Sequence, residues 1–421
     1  MRLVDNAEPE SSGMMTLRQA HRLVQAQFAP AVGTAAVPLA AARNRVLAAD
    51  LAAAVDLPPH DNAAVDGFAV RASDLRANGS PGGSPRLRLV GRAAAGHPFG
   101  GTVAGGQTVR ILTGAPLPAG ADAVVMQEGC SVEGDLVGLA GDARPGANIR
   151  RRGEDVRAGA IVLAAGRRLR PQDIALAAAL GVRELAVYDR LRVALFSTGD
   201  EVREPGTPLK AGEIWDANRW LLRSLLEVLG CDVTDLGILA DDRPGMEGAI
   251  AEAAHAHDLI VTSGGVSVGG EDHMREVIRR RGSLETQRLA IKPGKPVGLG
   301  DIDDCPILAL PGNPVAAAVS FIAFGRSVVL RLAGSAEDAP LAFRLPAAFG
   351  YRKKPGRRDF LLGVVERDGS GVSSVGMFEK QGAAMLSAIT QTEGFVTVAD
   401  GVEEVRPGDL VDFIPHEWLL G

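Results

Sequence analysis

Cysteine is scarce in this sequence of 421 residues: there are three, Cys130, Cys231 and Cys305. They lie far apart and form no C-x-x-C pair, which leaves no basis for a zinc ribbon, a redox dithiol or a disulfide framework. A reducing compartment fits. The first residues, MRLVDNAEPESSG, lack the basic, then apolar, then small-residue order of a secretory signal. Long hydrophobic runs are missing early in the chain. The most aliphatic stretch there, residues 35–55, is broken by Pro38, Arg43, Arg45 and Asp50, too often to span a bilayer. These features predict a cytoplasmic protein. Excess positive charge is absent as well. A formal net charge of -6 argues against a dedicated nucleic-acid binder, and the arginine-rich clusters at 150–152, 279–281 and 352–358 read first as solvated faces. Three further absences narrow the enzyme classes. There is no G-x-x-x-x-G-K-[ST] loop, no G-x-G-x-x-G fingerprint and no H-E-x-x-H, which argues against a P-loop NTPase, a dinucleotide enzyme and a zincin.

What the chain does contain is a change of texture along its length, and that length suggests two to four domains. Thr16 is placed to cap an amphipathic helix through Leu17, Ala20, Leu23, Val24 and Phe28, with Pro30 as its stop. A second helix is expected over 39–48. Residues 61–142 alternate short β-type runs with Gly and Pro, the pattern of a small β module. Pro171 opens another helix. From 191 to 332 apolar strands alternate with helices, which predicts a mostly parallel sheet covered on both faces. After 336 the pattern is all-β again. The expected fold class is therefore multidomain, α/β plus all-β.

In such a sheet ligands bind beyond the carboxyl ends of the strands. Three polar loops fall there: 197–201 (STGDE), 263–272 (SGGVSVGGED) and 310–314 (LPGNP). Any one reads as a plain turn; three on one edge converge. The glycines of the second loop allow backbone N–H groups to approach an anion. Asn313 is placed to cap a helix beginning at Pro314, a favourable phosphate site, although a turn plus cap explains the same residues. Asp200, Glu201, Asp241, Asp242, Glu271 and Asp272 all follow predicted strands. Clustered acids call for a cation or a shared proton, and magnesium takes oxygen ligands and bridges to phosphates. Asp241-Asp242 alone also reads as a helix-start acid pair. Lys292 and Lys295 flank a stiff Pro-Gly turn and are either phosphate-binding point charges or a solvated turn.

Eight segments in this order make the sequence recognisable: DLPPHDNAAVDGFAV, RILTGAPLPAGADAVVMQE, NIRRRGEDV, STGDE, GEIWDANR, TSGGVSVG, IKPGKP and ALPGNPVAAAVSF. From about Thr16 onward the chain resembles the molybdopterin molybdenumtransferases, the bacterial molybdate insertases that are similar to the C-terminal region of gephyrin. The resemblance implies a homodimer of four-domain subunits. On it the chain divides into a disordered tail (1–13), an elongated discontinuous N-terminal domain (14–58 and 143–188), a small β module (59–142), a molybdopterin-binding α/β domain (189–335) and a C-terminal β-barrel (336–421). It further implies that adenylylated molybdopterin and molybdate react to give molybdenum cofactor and AMP, with magnesium as cofactor. The implied partners are a second copy of the chain and the adenylyltransferase of the same pathway.

Carried over by motif, Asp66, Thr113, Asp155, Glu201, Asp242 and Asp272 are the implied catalytic residues, the last three also as metal ligands. Ser263, Gly264, Gly265, Ser267, Lys292, Lys295, Pro311, Gly312, Asn313, Pro314 and Arg357 are the implied substrate contacts. Some positions depart from the family. Val65-Asp66-Gly67-Phe68 keeps the acid of the usual Met-Asp-Gly-Tyr and loses the phenol. Gly269-Gly270-Glu271-Asp272 shifts a glutamate by one place. The stretch QGAAMLS (381–387) has alanine where serine is common. Two other readings share parts of this pattern: a molybdopterin adenylyltransferase-like enzyme, which has the α/β domain alone, and a non-catalytic gephyrin-like scaffold. The chain is expected to carry no fused adenylyltransferase.

Overall fold

The computed structural model describes residues 13–77, 85–140, 143–239, 243–264, 273–337, 340–369 and 371–418. Asp241, Asp242, Gly265, Ser267, Glu271, Asp272 and nearly all of the expected disordered tail lie outside them. The chain forms two compact units: residues 50–164 with 171–184, and residues 1–49, 165–170 and 185–421.

The larger unit is built on a six-stranded sheet in the order Asp232–Ile238, Arg192–Ser197, Leu259–Ser263, Cys305–Leu310, Pro296–Ile302, Gly282–Arg288. The first four run parallel; Pro296–Ile302 is antiparallel to both of its neighbours. Reversal comes at Asp303-Asp304, both at positive φ (47° and 68°), the two-residue turn that matches strand twist. Alternate side chains feed two cores. Val193, Leu195, Val261 and Leu308 pack with helix Asn218–Val228 and the long helix from Pro314. Ala194, Phe196, Ile260 and Ile307 pack with helix Arg243–Ala256 and helix His273–Arg281. Helix Leu17–Gln27 joins the first core through Ala20 and Val24, and Thr16 and Gln19 cap it reciprocally. The stretch Pro314–Leu332 is long and apolar enough to cross a membrane, but 94% of it is buried in this core.

The expected helix at 39–48 is not formed. A single 3-10 turn, Leu39–Ala41, is followed by Asn44 at φ 63°; Val46 then bridges to Arg168 and Leu47 to Val187. Long-range strand pairing overrides the local apolar spacing there.

The C-terminal strands Phe343–Pro346, Arg358–Asp368, Gly371–Met377, Gly394–Val398 and Leu410–Pro415 form a ring, closed by the Ala347–Val375 bridge. The short strand Ile291–Lys292 adds to its edge beside Arg358–Asp368. Near the rim His416 sits edge-on to Phe395, ring centroids 4.9 Å apart, with Nε2 3.1 Å from Thr392 Oγ1. Burial pushes its pKa from 6.5 down to about 4, against an upward pull from Glu393. The folded chain thus keeps His416 neutral where the unfolded chain protonates it. Its contribution to stability is present above pH 6.5 and lost as pH falls to about 4. Unfolding midpoints are expected to decline across that window, and His416→Phe to flatten the decline; identical pH slopes for parent and variant would refute this.

The smaller unit carries its own six-stranded sheet, in the order Ala123–Met126, Gly67–Val70, Gln107–Ile111, Arg86–Ala93, Leu136–Leu139, Cys130–Glu133. Phe68, Leu87, Val125 and Val137 fill one face; Ala69, Val109, Ile111 and Val124 fill the other. A Cβ at Gly67 would stand 2.0 Å from the Val125 carbonyl oxygen, so only glycine lets these strands pair after Asp66.

Candidate active site

In the smaller unit, Gly67 pairs with Ile111 across antiparallel strands, so Asp66, one step before, faces the turn one step beyond. The Thr113 N–H and hydroxyl both donate to Asp66 Oδ1, each at 2.7 Å. The hydroxyl bond, then the amide bond, hold the Asp66 carboxyl below the usual carboxylate range, with help from the Arg110 charge. Two residues predicted from separate motifs are therefore one hydrogen-bonded pair. Beside it Gly114, Leu57, Asn62, Arg150, Glu154 and Asp155 line an open cleft of about 700 Å³. Asp155 thus belongs to the same concave face.

The loop that carries Asp155 is pinned by carboxylates. Asp61 accepts from the Arg152 N–H at 2.8 Å and from Arg151 Nη1 at 2.6 Å, and Asp56 accepts from Arg152 Nε and from the Ala158 N–H. Two of the three clustered arginines are therefore structural, and Arg150 is the one on the cleft. Nothing in the arginine run alone distinguishes them.

In the larger unit the three parallel strands end in register: Ser197 opposite Ser263, and Ser263 opposite Leu310. Two of these strand ends, at Ser263 and after Leu310, are joined by a residue that sequence reasoning missed. Asn218, at the start of its helix, donates from Nδ2 to Ser263 Oγ (2.8 Å) and to the Gly312 carbonyl oxygen (2.7 Å). Its Oδ1 is buried without a partner. The only signal in the sequence was its place in GEIWDANR, two residues after an acid.

The helix at Asn313 differs from expectation. Asn313 has cap geometry and Pro314 is the first helical residue, but the Asn313 side chain makes no cap bond. The N–H groups of Val315 and Ala316 donate to the Ala383 carbonyl oxygen, at 2.9 and 3.4 Å. The C-terminal segment thus takes the donors that would face a phosphate, and the Gly264 N–H goes to the Leu310 carbonyl oxygen.

Among the described residues no three acidic, histidine or cysteine side chains converge on a metal-sized gap. Asp242 and Asp272 lie outside those residues, so of the three expected ligands only Glu201 is placed. Its carboxylate folds back over Gly199, where a Cβ would meet Oε2 at 2.7 Å, and it has no ion pair among the described residues. Lys292 and Arg357 come together on Asp359, while Lys295 contributes its carbonyl oxygen to the Leu289 N–H.

Known proteins match both units. Residues 15–181 match the family model of the MoeA N-terminal region (domain I and II), 194–331 that described as "Probable molybdopterin binding domain", and 344–416 the MoeA C-terminal region (domain IV). The molybdopterin molybdenumtransferase of Haemophilus influenzae is 38% identical over 97% of this chain and 100% of its own length. The chain belongs to the molybdopterin molybdenumtransferase family. Molybdopterin molybdenumtransferase 2 of Mycobacterium tuberculosis is 36% identical over 93% of this chain and 97% of its own. A crystal structure of the molybdopterin biosynthesis protein moeA from Pyrococcus horikoshii superposes with a TM-score of 0.81 at 28% identity, covering 96% of this chain and all of that one.

Proposed function

We propose that this chain inserts molybdate into adenylylated molybdopterin, forming molybdenum cofactor and releasing AMP, with magnesium as the metal. The observation that carries the reading is the near full-length match to transferases of that name. Glu201, a strand-end carboxylate without a counter-cation among the described residues, has the donor chemistry magnesium requires, and Asp242 and Asp272 would complete its ligands. When bound, the metal supplies Lewis-acid polarisation of the substrate's phosphate oxygens. The protein's own part is to bind and orient. Ser263, Gly264, Gly265, Ser267 and the turn Pro311-Gly312-Asn313-Pro314 shape the pterin-phosphate side. Lys292, Lys295 and Arg357 offer positive charge to the molybdate oxyanion. Asp66, held by Thr113, and Asp155 orient water and move protons as oxo ligands leave. The reading carries with it a cytoplasmic homodimer supplied by the adenylyltransferase of the pathway.

Incubating the chain with adenylylated molybdopterin, molybdate and magnesium is expected to yield cofactor and AMP in equal amounts. Glu201→Ala and Asp242→Ala are each expected to lower turnover at least about tenfold. Undiminished turnover by both variants refutes the metal assignment. Adenylylation of unmodified pterin by ATP would instead identify an adenylyltransferase.

A further inference from the structure

Asp359 stands behind two of the three cations that the proposed reaction assigns to molybdate, Lys292 and Arg357. It lies on strand Arg358–Asp368 and is fully buried. The short strand Ile291–Lys292 runs parallel beside it, with Lys292 directly opposite Asp359. Asp359 Oδ2 accepts the Tyr351 hydroxyl at 2.7 Å; Lys292 Nζ stands 3.4 Å from that hydroxyl and 3.9 Å from Oδ2. Arg357 Nε is 3.3 Å from the other oxygen, Oδ1. The contact is ionic without an aligned hydrogen bond, because Arg357 Nε and Asp359 Oδ1 both lack a hydrogen-bond partner. The Lys292 side chain is half exposed, so its ammonium has one side on the Asp359–Tyr351 pair and the other open.

The surroundings are cationic. Lys353 Nζ donates to the carbonyl oxygens of Arg357 and Asp400, and Arg358 Nε pairs with Asp400 Oδ1 at 3.4 Å. Three cations thus share two carboxylates, with Lys353 held on backbone carbonyl oxygens beside them, in a chain whose net charge is negative. A carboxylate fully removed from water is a poor way to gain stability, since a well-packed apolar residue commonly does as well or better. What this one does is gather a lysine from the Lys-Pro-Gly-Lys turn and an arginine from the C-terminal strands within 4 Å of a single carboxyl group.

We infer that Asp359 is a positioning residue: with the Tyr351 hydroxyl it fixes Lys292 and Arg357 as one pair that receives a tetrahedral oxyanion. Asp359 itself does not touch the anion. The inference rests on the reading that Lys292 and Arg357 take molybdate.

The test is molybdate binding to the full chain by titration calorimetry, with KM and kcat for cofactor formation, in Tyr351→Phe, Asp359→Asn, Lys292→Ala and Arg357→Ala. Asp359→Asn is expected to weaken molybdate binding about tenfold, the scale of one lost charge-assisted contact, and Tyr351→Phe severalfold. KM for molybdate should rise in step, while KM for the adenylylated pterin holds and kcat falls much less. Should Asp359→Asn fail to fold, Tyr351→Phe decides alone. Unchanged molybdate affinity in Tyr351→Phe and Asp359→Asn, with loss in Lys292→Ala and Arg357→Ala, overturns the inference and leaves the assigned cations standing. Unchanged affinity in all four overturns both.

Discussion

Replacing Asp66 with alanine is expected to lower kcat/KM for cofactor formation by about a thousandfold, in the range for loss of a positioned acid-base group, while the melting temperature moves little. The asymmetry follows from the site. Asp66 lies at the start of an interior strand of a sheet whose two cores are formed by other residues, Phe68 and Val125 on one face and Val109 and Ile111 on the other. Among the described residues its carboxyl holds only Thr113, and the Thr113 amide and hydroxyl can turn to water when it is gone. Asp66→Asn separates two roles. An amide oxygen can accept the same two hydrogen bonds without the charge, so full activity in Asp66→Asn would leave only a structural role for the pair and sink the proton-handling assignment. The pKa direction adds a constraint. Because the two Thr113 bonds and the Arg110 charge depress it, Asp66 stays ionised as pH falls through the ordinary carboxylate value of about 3.9. An acid limb of kcat/KM at or above that value must therefore belong to another group.

The sequence showed the pieces of this site better than their junctions. Motif residues such as Asp66, Thr113 and Asp155 were legible because each sits in a short loop of distinctive composition. That Asp66 and Thr113 share hydrogen bonds depends on the Gly67–Ile111 register, which no local pattern encodes. The parallel sheet was legible from apolar runs punctuated by helices, and the start of the first helix from Thr16, though not the return bond from Gln19. The segment 39–48 misled because alanine-rich spacing suits a helix, whereas pairing of Val46 with Arg168 and Leu47 with Val187 decides its path. The start of the Pro314 helix misled for a similar reason. Its sequence is that of an open anion site, but a carbonyl group nearly seventy residues later, Ala383, occupies its first donors. Asn218 and Asp359 were missed altogether, since an asparagine after an acid and an aspartate after two arginines look like ordinary surface until long-range pairing buries them.

Arg219→Met is expected to destabilise the larger unit by about 3–5 kcal/mol, the cost of breaking a buried ion pair from one side, and to lower its melting temperature by about 10 °C. Arg219 is buried, and three segments converge on it. Asp216 accepts from its backbone N–H and from Nε (3.1 and 3.0 Å), Asp235 from Nη1, and Glu204 from Nη2. Burial alone would lower the arginine's pKa, but its hydrogen bonds to Asp235 and Asp216, with the charges of Asp235 and Glu204, raise it beyond its usual value. Removing the guanidinium leaves Asp216, itself buried, without its cation, and leaves Asp235 to Arg223, 3.8 Å away. Arg219→Lys should recover little, because one ammonium cannot reach three carboxylates in the directions a planar fork does. Replacing Asp216 and Asp235 together with Arg219 by apolar residues of similar volume should restore most of the loss, since the desolvation cost then disappears from both sides. Function is tied to the same group. Glu204 lies three residues beyond Glu201, and the paired segments Val202–Arg203 and Ile214–Trp215 lie between Glu201 and the Asp216–Arg219 bond. Loosening Arg219 therefore frees the loop that presents Glu201, and turnover should fall in Arg219→Met even below its melting transition. A variant that melts within about 2 °C of the parent and turns over normally would show that the three carboxylates find other partners and that Arg219 does not hold this loop.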